Sequence, residues 1–393
     1  MSPSTFRFTR VVLKNWKNFK SVDVELARRA FLVGPNATGK SNFLDAIRFL
    51  RDLATDGGGL AQAVDKWRGG VSHVRSLFAR QNPNVEIQVE IRSDEGNGFR
   101  YVLVFNSRTK RDQTPIVLRE AVEKITADGK IETLLDRPDK ADRRDSERLT
   151  QTAIQQVTAN KNFREMVAFF DSITYLHLVP QLLREEQLPR RSGKSPDQFG
   201  RDLLNQIKDV TPRTRTARLK RIGAILKIVV PQLESLDFEI DQDGRPRLFA
   251  NFRHWRQYGA KQYEVQFSDG TLRLIGLLWS LQERAGPLLL EEPELSLHTA
   301  IVRQMAPFIY RAQRSRSGRQ VILSTHSEQI LQDDGVAPEE VLLVRPVHEG
   351  SEIVVGAQIP EVANLMAAGF TAHETISPRT VTDQMSLFSG ADL

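Results

Sequence analysis

Alternating apolar and polar positions open the chain. Phe6, Phe8, Val11 and Leu13, then Val22, Val24 and Leu26, predict half-buried strands, and the solid apolar run Ala30 to Val33 predicts a fully buried one. That run stops at Gly34-Pro35-Asn36, and from Ser41 to Leu53 the residues Phe43, Leu44, Ile47, Leu50 and Leu53 recur at helical spacing. Gly57 to Gly59 and Gly69-Gly70 bracket a short helical piece. Val85, Ile87, Val89 and Ile91 then alternate again, and with the strand Tyr101 to Phe105 they predict antiparallel sheet. From Thr109 to about Gln262 the texture changes to a strand at Ile116 to Ile125, a charged stretch Arg137 to Arg148, helical residues through Phe170 and a basic segment. After Tyr263 come a strand to Phe267, a turn at Ser268-Asp269-Gly270 and a helix Thr271 to Arg284. Strands follow at Pro287 to Leu290, Gln320 to Ser324 and Val341 to Val344, with a helix His298 to Gln313 between the first two. Strands alternating with helices predict a parallel sheet there. No sustained heptads occur, which argues against long coiled-coil arms.

Length and composition narrow the class. With 393 residues, 40% hydrophobic and 26% charged, the chain can bury a large core and exceeds what one core usually organises. The absence of Cys excludes disulfides, thiolate metal sites and thiol catalysis. The start lacks a signal-peptide apolar run, and the most apolar stretch, Leu272 to Leu281, is too short to span a bilayer, so the expectation is a soluble cytoplasmic protein without a membrane partner. The net charge of +6 is concentrated between Arg184 and Arg221, where basic residues outnumber acidic ones by the whole excess. That surplus suits a polyanion such as DNA, or else a solvated helical surface beside the Arg190 to Pro196 loop.

Four sequence features carry chemistry. Gly34-Pro35-Asn36-Ala37-Thr38-Gly39-Lys40-Ser41 fits G-x-x-x-x-G-K-[ST] between a strand and a helix, with Lys40 suited to β/γ-phosphate oxygens and Ser41 to Mg²⁺. Pro287 to Glu292 is an apolar strand ending in two acids; Glu291 can accept the Mg²⁺ water shell and Glu292 can polarise an attacking water. Ser324-Thr325-His326 closes the next strand, where His326 can reach a γ-phosphate or the attacking water. Ser268, with the backbone N–H groups of Gly270 and Thr271, forms a second anion site at a helix start, which makes sense if it serves another subunit's nucleotide.

The arrangement resembles the ATP-binding-cassette (ABC) ATPases, in their SMC, RecF and OLD-like branch, which includes AAA_21-type heads. The residues that carry the resemblance are Lys14 to Phe19, Gly34 to Asp45, Ser268 to Leu272, Leu288 to His298 and Leu323 to His326. It implies an α/β fold: a P-loop NTPase head of ABC type, with a mixed sheet plus antiparallel lobe, and an inserted α+β middle lobe. The divisions expected are 1–108 and 263–345 for the two halves of the head, 109–262 for the middle lobe and 346–393 for an extension. Cofactors would be ATP and Mg²⁺. Gly34 to Asn42 would form the nucleotide loop, Glu291 the Walker B acid, Glu292 the general base and His326 the switch histidine. Ser268 and Gly270 would act across a dimer, Glu294 to Leu297 would be the D-loop, and Lys17 would lie near the nucleotide. Gln81, or else Gln88, would be the Q-loop residue and so a metal ligand. Glu291 departs from the commoner Asp, and the residues after His326 are too few for the Toprim nuclease of OLD proteins. Asp241-Gln242-Asp243 reads as a hairpin turn.

The reading that results is a dimeric ATPase switch, joined through an ATP sandwich, in DNA maintenance or phage defence, with a nuclease or toxin effector in trans. The alternatives are a non-hydrolysing, ATP-dependent scaffold holding an effector and a transporter-type cassette.

Overall fold

The computed structural model describes residues 6–79, 82–109, 111–184, 197, 199–253, 260–283, 286–314 and 318–379. Six antiparallel strands form the first layer: β1 (Arg7–Trp16), β2 (Phe19–Glu25), β4 (Val85–Arg92), β5 (Gly98–Ser107), β6 (Pro115–Ile125) and β7 (Ile131–Arg137), in the order β2-β1-β4-β5-β6-β7. In β4 the expected alternation is strict, with Val85, Ile87, Val89 and Ile91 all buried. The boundary expected at residue 108 falls inside this sheet, because β6 pairs with β5 along its length and Val117 and Val122 enter the same core as β4. The polar stretch after residue 108 is a hairpin loop between two strands of one layer.

A second six-stranded sheet has the order β15-β14-β3-β13-β12-β8. Its strands are β3 (Arg29–Val33), β8 (Thr174–Leu176), β12 (Leu288–Glu291), β13 (Val321–Ser324), β14 (Val341–Val347) and β15 (Gly350–Val355). All neighbours run parallel except β14 and β15. Side chains alternate between two cores, as strand geometry requires. Leu32, Leu289, Ile322 and Leu342 pack with Phe43 and Ile47 of helix α1 (Lys40–Ala54), and Phe31, Leu290, Leu323 and Leu343 pack on the other face with Met305 and Ile309. Strand β8 comes from the middle of the chain and was not anticipated, since three residues are too few to show a period.

A third core lies under α2 (Pro212–Val229), α3 (Asp269–Leu281) and the antiparallel strands β9 (Leu233–Ile240), β10 (Pro246–Phe252) and β11 (Ala260–Tyr263). The strand expected to reach Phe267 stops at Tyr263, and the helix expected from Thr271 starts at Asp269 because Ser268 caps it, its hydroxyl accepting the Thr271 N–H at 3.2 Å. Asp241 accepts the N–H groups of Asp243 and Arg245 within the β9–β10 turn, as a hairpin residue does. At 18 residues, α2 is the longest helix among the described residues. No helix among them is long and apolar enough to cross a membrane.

Candidate functional site

The ends of β3, β12 and β13 bring three sequence features to one edge of the parallel sheet. Between Val33 and Lys40 the chain turns through Gly34, Pro35, Asn36, Ala37, Thr38 and Gly39, and Gly39 caps α1 at φ 102°. A Cβ on Gly39 would stand 2.2 Å from the Asn18 amide nitrogen, so the close approach requires glycine. Asn18 donates to the Thr38 carbonyl at 2.7 Å and accepts from the Asn42 amide at 2.8 Å, and the Trp16 indole donates to the Asn42 carbonyl at 2.9 Å. The tight turn between β1 and β2 thus braces the loop from outside.

Lys40 is buried, and its ammonium donates to the carbonyls of Gly34 and Pro35, both at 2.8 Å. Burial pulls its pKa down to about 8, with Glu292 and Glu294 acting in the opposite direction. It forms no ion pair among the described residues. Its third neighbour is His326, whose Nδ1 lies 3.3 Å away, while His326 Nε2 lies 2.7 Å from Glu292 Oε1. An ammonium can only donate and a carboxylate accepts, so these partners favour the tautomer that accepts at Nδ1 and donates from Nε2. Lys40, His326 and Glu292 therefore form one continuous chain of contacts.

Glu292 sits at φ 44°, a left-handed conformation uncommon outside glycine, and its N–H bonds the Ser324 carbonyl at 3.0 Å. The backbone turn separates the two acids: Glu292 faces His326, and Glu291 faces α1. Burial pushes the Glu291 carboxyl up, the hydrogen bond from Ser41 opposes this, and the neighbouring Glu292 adds to it. Glu294 holds the histidine loop, its Oε1 accepting the Thr325 hydroxyl at 2.7 Å and the N–H of His326 at 2.9 Å.

Two residues that sequence reading overlooked contact these groups, and a third contacts the first turn of α3. The Tyr175 hydroxyl donates to Glu291 Oε2, and His177 Nδ1 lies 3.3 Å from the Glu291 carbonyl. Gln181, four residues on, donates to Asp269 at 2.9 Å. Nothing local in the sequence marks Tyr175 and His177, because their contacts depend on β8 lying beside β12.

Other anticipated residues lie elsewhere. Lys17 pairs with Asp45 at 2.6 Å rather than with the loop. Ser268 and Gly270 begin α3, and among the described residues the Ser268 hydroxyl bonds only within that first turn. A Cβ on Gly270 would come within 2.6 Å of the Ser296 carbonyl, so the helix start packs directly on the loop after Glu294. Gln88 is on β4 of the antiparallel sheet. Gln81, Arg190, Arg191 and Lys194 lie outside the described residues. The rest of the basic segment divides: Arg184 pairs with Asp269 at 2.6 Å, and Arg215 and Arg218 stack on Phe238 and Trp279 at 4.4 and 5.0 Å. Arg213, Lys220 and Arg221 stay exposed on α2.

The donor set fits a nucleotide with its cation. Lys40 carries a buried positive charge with no carboxylate partner, which phosphate oxygens would satisfy. Among the described residues no group of three or more His, Cys, Asp or Glu could hold a metal alone. Ser41 and Glu291 supply two protein oxygens, the usual share for Mg²⁺ that arrives with phosphates.

The fold is similar to that of known head domains. The Smc head domain of Pyrococcus furiosus, solved with an extended coiled coil and bound to the C-terminal domain of ScpA, is 16% identical. The match covers 89% of this chain and 96% of that one, with a TM-score of 0.50. The SMC head domain of Thermotoga maritima is 15% identical, over 89% of this chain and 98% of that one, with a TM-score of 0.45. Endonuclease GajA of Bacillus cereus (strain VD045) is 41% identical over 46 residues, which span 12% of this chain and 8% of that nuclease. The fold is a P-loop, ABC-type ATPase head. Residues 29–332 match the sequence model of one family, and the chain belongs to it: "AAA domain, putative AbiEii toxin, Type IV TA system".

Proposed function

We propose that the protein binds and hydrolyses ATP as a nucleotide-gated dimeric switch that acts with a nuclease or toxin effector in DNA maintenance or phage defence. The observation that carries this reading is the contact chain from Lys40 through His326 to Glu292, beside Ser41 and Glu291 at one sheet edge. In it, the backbone N–H groups of Gly34 to Ser41 cradle the phosphates, and Lys40 exchanges its two loop carbonyls for phosphate oxygens. Ser41 and Glu291 would hold Mg²⁺, which when bound spreads the charge that develops on the phosphates. Glu292 accepts a proton from the attacking water, and His326, anchored by Glu294, keeps Glu292 aimed. Ser268 and Gly270, at the start of α3, complete the neighbouring subunit's site.

Partners follow the same reasoning. A Smc head is bound to ScpA, and GajA is named an endonuclease; a head with an effector supplied in trans is the arrangement proposed here. A non-hydrolysing scaffold is the second reading, and it draws on the Glu291 carboxyl being pushed up by burial, which weakens it as a ligand. One substitution separates the two. Glu292→Gln should keep ATP affinity, lower turnover by about 10²-fold or more and trap an ATP-bound dimer seen by light scattering. Turnover at the parent rate removes Glu292 as base, and a parent with no turnover favours the scaffold.

A further inference from the structure

Strand β8 and the residue that follows it hold Glu291 at both ends. It runs parallel to β12 with Tyr175 opposite Leu289 and Leu176 opposite Leu290. Leu289 and Glu291 are two residues apart and share one face of the sheet. A tyrosine level with Leu289 must lean along the strand by one such step to meet the acid, and the phenol does so, donating to Glu291 Oε2. Two residues further, His177 Nδ1 meets the Glu291 carbonyl at 3.3 Å; a carbonyl only accepts, so the imidazole donates.

The phenol is itself held. Tyr175 is 6% exposed, and the Arg48 guanidinium lies 5.0 Å from its ring centre. Arg48 is tied in turn to Asp45, one turn away on α1. The ring therefore has a wall on one side and the acid at its tip. A glutamate has one more rotatable bond than an aspartate, and a half-buried carboxylate with rotamers open to it would meet a cation in several poses. With one oxygen held by the phenol, the side chain loses most of that freedom.

We infer that Tyr175 is a positioning residue that orients Glu291 toward the Mg²⁺ of a bound nucleotide, with His177 fixing the backbone beneath it. This inference rests on the role proposed above for Glu291. Groups that orient a metal ligand from behind typically contribute 10- to 100-fold in metal affinity.

The test uses the full chain with a non-hydrolysable ATP analogue and Mn²⁺, whose binding is followed by electron paramagnetic resonance. Tyr175→Phe keeps the ring and its contact with Arg48 and removes only the hydroxyl. It should weaken Mn²⁺ binding by about tenfold while leaving analogue affinity in EDTA unchanged. Glu291→Gln, measured beside it, should weaken Mn²⁺ at least as much. Glu291→Asp withdraws the carboxylate from the phenol by one methylene, so adding Tyr175→Phe to it should weaken Mn²⁺ no further. Parent-like Mn²⁺ affinity in Tyr175→Phe, with Glu291→Gln impaired, overturns the inference alone. Parent-like affinity in Glu291→Gln overturns the role of Glu291 and the inference with it. Should Tyr175→Phe fail to fold, a Glu291→Asp protein that binds Mn²⁺ as the parent does overturns the inference, and one weakened about tenfold supports it.

Discussion

Two groups of charges lie side by side on α1, and they are built in opposite ways. At Asp45 and Asp52, buried carboxylates are surrounded by cations: Lys17 at 2.6 Å and Arg68 at 2.9 Å from Asp45, Arg68 again at 2.8 Å and Arg51 at 3.2 Å from Asp52. Burial pushes the Asp45 carboxyl up, but Arg68, Arg48 and Lys17 outweigh it and hold the acid well below the usual carboxylate range. At Lys40, five residues earlier in the chain, a buried ammonium has only carbonyls and an imidazole. The first group is complete in the folded chain and braces the helix. The second is left wanting an anion, and unsatisfied charge held rigidly is what a binding site needs.

Removing one cation from each group should give opposite results, and this is the largest effect expected. Arg68→Gln leaves two buried carboxylates short of a partner and should cost about 3–5 kcal/mol of unfolding free energy in urea titration. Lys40→Met removes a charge that burial disfavours, so stability should hold or rise while ATP binding is lost. Acid sharpens the contrast. The folded-state pKa of Asp45 lies below its unfolded value, so its contribution is present above about pH 4 and is lost as pH falls through the folded value. Arg68→Gln raises that folded value, and its acid unfolding should begin at higher pH than the parent's. A Lys40→Met protein as unstable as Arg68→Gln would erase the distinction between the two groups.

The parts of this comparison legible in the sequence are the local ones. Strand, glycine loop and helix follow one another within residues 30–53, so the loop and Lys40 could be read directly, as could Glu291, Glu292 and His326 at the ends of short apolar runs. The resemblance puts Lys17 near the nucleotide, and what the sequence does not announce is that its amine closes on Asp45, a pairing set by how the β1–β2 turn sits over α1. Tyr175, His177 and the anchoring role of Glu294 depend on which strands become neighbours, and a three-residue strand carries no period to announce itself. The seam expected at 108 failed for a related reason: a polar hairpin loop resembles a linker until its strands are paired.

Ser268 offers a third kind of polar group, exposed and, among the described residues, bonded only to its own helix start. If it completes a neighbour's site, Ser268→Arg should abolish ATP-dependent dimerisation and turnover without weakening ATP binding to the single chain. Mixing Ser268→Arg with Lys40→Met chains should restore up to one working site per mixed dimer. Mixed dimers with no recovered turnover would place Ser268 outside any shared site.

The smallest expected effect concerns α2, whose cations divide in the same way as those on α1. Arg215 and Arg218 are committed to the rings of Phe238 and Trp279 and hold the third core together. Arg213 and Lys220 stand exposed and form no ion pair among the described residues, and Arg221 reaches only the Gln282 amide oxygen, at 3.4 Å. A polyanion would meet the exposed set. Arg213→Ala, Lys220→Ala and Arg221→Ala together should weaken binding to duplex DNA and make the slope of log affinity against log salt shallower by about 0.9 for each phosphate that is no longer neutralised. Basal ATP turnover should stay at the parent rate, because none of the three touches the Lys40 site. Arg218→Ala is the control: it should lower the melting temperature by removing the stacking on Trp279 and leave the salt slope alone. An unaltered slope in the triple variant would leave the exposed cations as a solvated helix face and direct the search for a partner toward protein.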